Sequence, residues 1–209
     1  MSLLQENYHN KTVLVTGHTG FKGSWLSAWL VSLGAKVIGY SIDIPTEPDH
    51  FKLLELDMVD IRADIRDKTK LKEVVETYQP EFIFHLAAQP IVSTSYSDPL
   101  ETLSTNILGT ATMLDVLKEI NYDCTAIMIT SDKCYHNVEW EWGYRENDRL
   151  GGKDIYSASK AGAEIIYHAY FESFLKNSSV KTATVRAGNV IGGGDWAKDR
   201  IVLDAVPAW

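Results

Sequence analysis

At 209 residues, with 45% hydrophobic and 23% charged side chains, the chain can bury a core of its own, which excludes a disordered or fibrous polymer. A formal charge of -8 argues against a basic surface for nucleic acid or anionic membrane, so the expected partner is a small molecule gathered by a local site. The opening MSLLQENYHNKT lacks a basic segment followed by an apolar one, and no apolar run can span a bilayer, so a cytoplasmic protein is expected. Cys124 and Cys134 form neither a CxxC pair nor a ligand cluster with the scattered histidines, so buried thiols are expected and neither a disulfide nor a metal site is indicated.

The first strand is predicted over Thr12 to Thr16, and Gly17-His18-Thr19-Gly20-Phe21-Lys22-Gly23 leads from it into a helix over Phe21 to Ser32. Glycines at such a turn let backbone N–H groups approach a pyrophosphate at the positive helix N-terminus. A second strand, Lys36 to Tyr40, is followed by Asp43, twenty residues after Gly23. That carboxylate suits the ribose hydroxyls of adenosine, although Ile44-Pro45 also marks a turn where an acid is simply solvated. With no Arg or Lys between Tyr40 and His50, a 2′-phosphate would meet repulsion, which favours NAD over NADP. After a short third strand near Val59 to Ile61, Asp64 and Ile65 either hold the adenine edge or open the helix over Lys68 to Tyr78.

The fourth strand, Phe82 to His85, delivers Leu86, Ala87 and Ala88 to the same cofactor. A helix over Pro99 to Lys118 follows, capped by Asp98, with Leu100, Leu103, Ile107, Ala111 and Leu114 expected along one buried face. Gly109 within it costs about 1 kcal/mol against Ala, which implies a backbone or helix packed closely there. The fifth strand, Thr125 to Ser131, ends in Thr130-Ser131-Asp132-Lys133, either a solvated turn or proton carriers at the carboxyl end of a strand, where ligands bind. The helix over Tyr156 to Lys176 opens on Tyr156-Ser157-Ala158-Ser159-Lys160, with phenol and ammonium four residues apart on one face. The ammonium is expected to lower the phenol pKa toward that of a general base. A sixth strand, Thr182 to Ala187, precedes a Gly192 to Gly194 turn and an amphipathic stretch from Asp199 to Trp209. Such alternation predicts a Rossmann-type, doubly wound parallel sheet with helices on both faces and strands buried on both sides. Residues 1–187 are expected to form an NAD-binding domain and 188–209 the start of a small substrate domain.

A GxxGxxG turn combined with YxxxK resembles the extended short-chain dehydrogenase/reductase superfamily. Within it, TGHTGFKGSWL, AAQP, SDKCY, WGYREND, YSASKAGAE and RAGNVIGGGDWAKDR are similar to the CDP-glucose 4,6-dehydratases along essentially the whole chain. Lys22 in GFKG and Lys133 in SDK discriminate more than the glycines do. The resemblance implies a hydro-lyase of nucleotide-sugar biosynthesis, supplying deoxysugars of the lipopolysaccharide O-antigen type. It implies tightly held NAD, CDP-glucose as substrate, and a homodimer packed through the helices that begin at Pro99 and Tyr156. Tyr156 is implied to take the proton of the sugar C4 hydroxyl, with Lys160 tuning it and binding the cofactor ribose. Ser131 is implied to hydrogen-bond the C4 oxygen and Asp132 to protonate the departing C6 hydroxyl.

Related dTDP-glucose enzymes carry Glu at the position of Lys133. A lysine takes a proton only when neutral, so Lys133 is expected to be buried over the nicotinamide and to titrate with Asp132 as a coupled pair. Gln89 and Asn189 match positions lining the sugar-nucleotide pocket. Asp199 and Arg200 either approach the nucleotide phosphates or serve as a helix cap and a surface charge. A nucleotide-sugar 4-epimerase would need Tyr156 and Lys160 without Asp132 and Lys133, and a non-catalytic NAD-binding module would need none of the four. Members of the family continue past the position of Trp209, so the sugar-nucleotide domain is expected to be incomplete here.

Overall fold

Alternating β-branched and helical segments build one parallel sheet in a computed structural model that describes residues 3–206. Its strands are β1 (Thr12–Thr16), β2 (Lys36–Ser41), β3 (Val59–Arg62), β4 (Phe82–His85), β5 (Cys124–Ser131) and β6 (Val180–Ala187). They lie in the order β3-β2-β1-β4-β5-β6, with every neighbouring pair parallel. The order reverses between β1 and β4, so a crevice opens beyond their carboxyl ends.

The helices are α1 (Leu3–Tyr8), α2 (Phe21–Ser32), α3 (His50–Leu54), α4 (Lys68–Tyr78), α5 (Val92–Ser97), α6 (Pro99–Leu103), α7 (Gly109–Leu117), α8 (Ile155–Tyr170) and α9 (Ile201–Ala205). Side chains alternate across a strand, and β1 shows the consequence. Val13 and Val15 pack with Leu30 of α2 and Val37, whereas Leu14 joins the opposite core with Leu71 and Val75 of α4 and Met113 and Leu117 of α7. Helices therefore cover both faces, as expected. Burial on both faces, however, is confined to inner strands. At the edges, β3 exposes Val59, Asp60 and Arg62, and β6 exposes every second residue, including Val185 at 48%.

The helix expected over Pro99 to Lys118 is α6 and α7 joined by a π turn, Ser104–Leu108. Asp98 caps it, accepting from Glu101 N at 3.0 Å, but of the face expected to be buried only Leu114 is fully enclosed, and Leu100 in the first turn stands exposed. The neighbour that Gly109 admits is a side chain, neither backbone nor helix: a Cβ there would lie 2.7 Å from Ile65 Cγ2. A second π turn, Phe171–Leu175, continues α8. Both cysteines are free and buried. Of the stretch from Asp199 to Trp209, residues 207–209 lie outside the described residues. Among the described residues no helix is long and apolar enough to cross a membrane, and no group of His, Cys, Asp and Glu is arranged to hold a metal ion.

Candidate active site

A cleft of about 950 Å³ lies beyond the carboxyl ends of the strands. It is lined by Gly17, Thr19, Gly20, Phe21, Lys22 and Gly23, by Asp43, Asp64 and Ile65, and by Leu86, Ala87 and Ala88. Gln89, Ser131, Asp132, Lys133, Tyr156, Lys160, Asn189 and Arg200 line it too, so every residue assigned from the sequence faces one cavity.

The glycine turn is a cradle that side chains would fill. Gly17 has φ +71, and a Cβ on it would lie 2.8 Å from Ala87 N; a Cβ on Gly23 would lie 2.1 Å from Gly17 O. α2 starts at Gly20 without a side-chain cap, which leaves first-turn N–H groups for an anion. A dinucleotide pyrophosphate fits that donor set.

Behind the cradle, His85 fixes the exit of β4. Thr110 Oγ1 donates to Asn106 O at 2.8 Å, so the hydrogen between His85 Nε2 and Thr110 must come from the imidazole. Nδ1 then accepts from Thr16 Oγ1 at 2.9 Å, and Thr16 in turn accepts from Ala87 N. Burial holds this histidine neutral, its pKa pushed down to about 3.

Beyond the end of β2, Asp43 is exposed and its carbonyl is gripped by Thr19 Oγ1 at 2.6 Å and Arg62 Nη1 at 2.9 Å. Asp64 lines the cleft but does not cap the helix that follows it. Its carboxylate takes Arg66 Nε at 2.9 Å and Nη2 at 2.6 Å, and α4 is capped by Asp67, which accepts from Lys70 N at 3.0 Å. Arg66 also reaches Glu101 Oε2 at 2.6 Å, and it holds both acids below the usual carboxylate range. Gln89 lines the cleft, but its amide is turned inward. Nε2 donates to Ile91 O and Thr102 Oγ1, and Oε1 accepts from Ile91 N at 2.6 Å. Its backbone is held by Asn106, buried in the π turn, which also donates to Ser159 Oγ at 2.8 Å. The π turn thus aims an amide between two cleft walls.

At the end of β5, Ser131 closes the strand and caps a 3-10 turn, Asp132–Cys134, accepting from Lys133 N at 3.2 Å and donating to Asp132 Oδ1 at 3.0 Å. That turn sends Cys134 inward and leaves Asp132 and Lys133 exposed, so the expected burial of Lys133 is not found. Tyr156 stands in the first turn of α8, which Asp154 caps by accepting from Ser157 N at 2.9 Å. Its phenol pKa is raised, contrary to expectation. Burial outweighs the Ser131 hydroxyl and the positive charge of Arg200, which both lower it. Lys160 sits with its Nζ 6.0 Å from the centre of the phenol ring, and burial pushes it down to about 8. Lys22 is lowered as well, by the cleft walls and by Arg200, against the pull of Asp132. Arg200 Nε lies 3.0 Å from Asp195 Oδ2. Asp199 does not cap α9, whose N-cap is Arg200, and bonds to Ser93 Oγ instead.

Sequence inspection missed the group that ties these elements together. Glu164 follows Tyr156 and Lys160 at four-residue spacing on the same face of α8, and it is 4% exposed. It accepts from Thr130 Oγ1 at 2.5 Å, Thr184 Oγ1 at 3.1 Å, and Arg186 Nε and Nη2 at 3.1 Å. Arg186 also donates to Glu146 O and lies 4.7 Å from the Tyr135 ring centre. The available signal was one acid inside the apolar run Ala161 to Ile166, with an arginine waiting in the next strand.

Comparison with known proteins agrees with this geometry. A CDP-glucose 4,6-dehydratase of Salmonella typhimurium is 50% identical over 97% of this chain and 58% of its own length. A probable dTDP-glucose 4,6-dehydratase of Sinorhizobium fredii is 30% identical over 73% of this chain and 47% of its own. The chain thus spans less than two thirds of the length of either relative. Among solved structures, the UDP-glucose 4-epimerase of Brucella ovis in complex with NAD is 25% identical, with a TM-score of 0.74 over 86% of this chain and 52% of that one. An epimerase of Methanothermobacter thermautotrophicus shares the fold at 24% identity, with a TM-score of 0.83 over 96% of this chain and 59% of that one. The model of the family described as GDP-mannose 4,6 dehydratase matches residues 14–186, and the chain belongs to that family.

Proposed function

We propose that this chain is the cofactor-binding part of an NAD-dependent dehydratase that converts CDP-glucose to its 4-keto-6-deoxy derivative. The observation that carries this reading is Asp132, an acid hydrogen-bonded to Ser131 in the cleft that also holds Tyr156 and Lys160. An epimerase needs only the phenol, the lysine and the hydroxyl. Gly17, Gly20, Gly23 and Lys160 would hold NAD in the cleft, where it would supply a hydride acceptor for C4 and a hydride donor for C6. Ser131 holds the C4 oxygen and Tyr156 removes its proton. The resulting 4-ketone acidifies the C5 proton, and as a base takes it, Asp132 gives its own proton to the C6 hydroxyl, which leaves as water. As hydride reaches C6, the base that took the C5 proton gives one back to C5, and the proton held by Tyr156 is exchanged through solvent to restore Asp132, so oxidation at C4 and reduction at C6 balance with the net loss of one water.

Residues 188–209 are read as the beginning of the sugar-nucleotide domain, following an NAD-binding domain over 1–187. Exposed Leu100 and Leu108 on the α6 to α7 run, with Ile165 on α8 and Phe174 in the π turn that continues it, support a homodimer through those helices. Two free buried thiols support a reducing, cytoplasmic setting.

Adding CDP-glucose to the NAD-loaded protein tests the reading: reduced nicotinamide is expected to appear transiently, and its absence under conditions where both ligands bind would count against it. Lys133→Met then asks whether Lys133 is the C5 base. The variant is expected to keep the first oxidation and lose exchange of the C5 proton with deuterated solvent. Exchange at the parent rate would assign the base elsewhere.

A further inference from the structure

The preference for NAD was read from the absence of Arg and Lys between Tyr40 and His50. Folding brings one in from another strand. Sheet register pairs Arg62 with Ser41, two residues before Asp43. Arg62 Nη1 donates to the Asp43 carbonyl at 2.9 Å, and Nη2 reaches Asp60 Oδ2 at 2.7 Å. The guanidinium carbon lies 5.6 Å from the centre of the Phe51 ring. Asp60 is itself anchored, its Oδ1 being 2.9 Å from Nε2 of the fully buried His18. A guanidinium carries five N–H donors, and these two bonds leave others unused on a side chain that is 32% exposed.

A carboxylate at the end of the second strand selects the ribose 2′-hydroxyl, and an arginine beside it accommodates a 2′-phosphate. This chain has both. Specificity is a difference of affinities, and repulsion of the wrong ligand contributes to it as much as attraction of the right one. We propose that Arg62 is a masked 2′-phosphate ligand: Asp43 excludes NADP by charge, while Asp60 occupies the arginine that would otherwise receive the phosphate. The proposal rests on the NAD reading above and adds to it the pair of residues that sets the preference.

Equilibrium binding tests it on the protein itself, with NAD and NADP titrated separately and binding read by calorimetry. Asp43→Ala is expected to weaken NAD binding and to strengthen NADP binding by about tenfold, the scale of a hydrogen bond to a charged group. Adding Arg62→Met to Asp43→Ala is expected to abolish that gain while changing NAD affinity by less than about threefold, since NAD carries no 2′-phosphate to make such a bond. Arg62→Lys in the same background keeps the charge and is expected to retain part of the gain. Asp60→Asn alone, which unmasks the guanidinium, should raise NADP affinity without loss of NAD. If Asp43→Ala and the Arg62→Met double variant bind NADP equally, Arg62 is not the phosphate ligand and the proposal fails while the NAD reading stands. If the unaltered protein binds neither nucleotide, the NAD reading itself fails and takes the proposal with it.

Discussion

Tyr156→Phe is expected to abolish oxidation of CDP-glucose while leaving NAD affinity close to that of the parent. The substitution removes one oxygen and almost no volume from a half-buried ring, so the cleft keeps its shape. What it removes is the proton acceptor. General-base catalysis contributes about 10²- to 10⁴-fold, and no second group with a comparable role stands beside Ser131 in this reading. The raised pKa of the phenol makes the dependence on its surroundings stronger. Burial disfavours the phenolate, and the Ser131 hydrogen bond and the charge of Arg200 only partly offset that. Single-turnover mixing of the NAD-loaded variant with CDP-glucose checks the prediction. Reduced nicotinamide appearing at the parent rate would show that another group takes the C4 proton.

Arg186→Met is expected to destabilise the fold by about 3–5 kcal/mol, the cost of leaving a buried acid without its charged partner. Glu164 is almost completely enclosed, and Arg186 supplies two of its four hydrogen bonds. The two threonine hydroxyls that remain cannot neutralise a carboxylate. Glu164→Gln together with Arg186→Met removes both charges, so the double variant should recover much of the loss, because a buried ion pair contributes less than its rupture costs. Urea unfolding of the parent and the variants measures both effects. A loss below about 1 kcal/mol for Arg186→Met would put the pair in the class of exposed ion pairs. Because Thr130 precedes Ser131 and Glu164 follows Lys160 on α8, the same variant should also loosen the catalytic end of the cleft.

What was legible in the sequence was what local spacing determines. GxxGxxG after an apolar run fixes a strand, a turn and a helix start within a few residues, and Tyr156 and Lys160 share a helix face by periodicity alone. Side-chain commitments made across the chain were not legible. Arg66 claims Asp64 two positions away and also Glu101, 35 positions from it, and Thr102 of α6 and Asn106 of the π turn claim Gln89. Arg62 reaches Asp43 only because β3 lies next to β2, and strand order is not written in the strands themselves. The sign of the Tyr156 shift was missed for a related reason. Spacing places Lys160 on the same face, but the burial that raises the phenol depends on what the rest of the fold lays over the ring. β3 and β6 were read as buried because their composition is apolar enough, while their position at the sheet edges leaves one side without a neighbouring strand.

The central claim is an internal transfer of hydrogen from C4 to C6 of one sugar. CDP-glucose carrying deuterium at C4 tests it most directly, with the product analysed by NMR. The account predicts a 4-keto-6-deoxy product whose C6 methyl group carries the deuterium. Deuterium retained at C4 of an epimerised sugar, or a 6-deoxy product whose methyl group carries none, would contradict it.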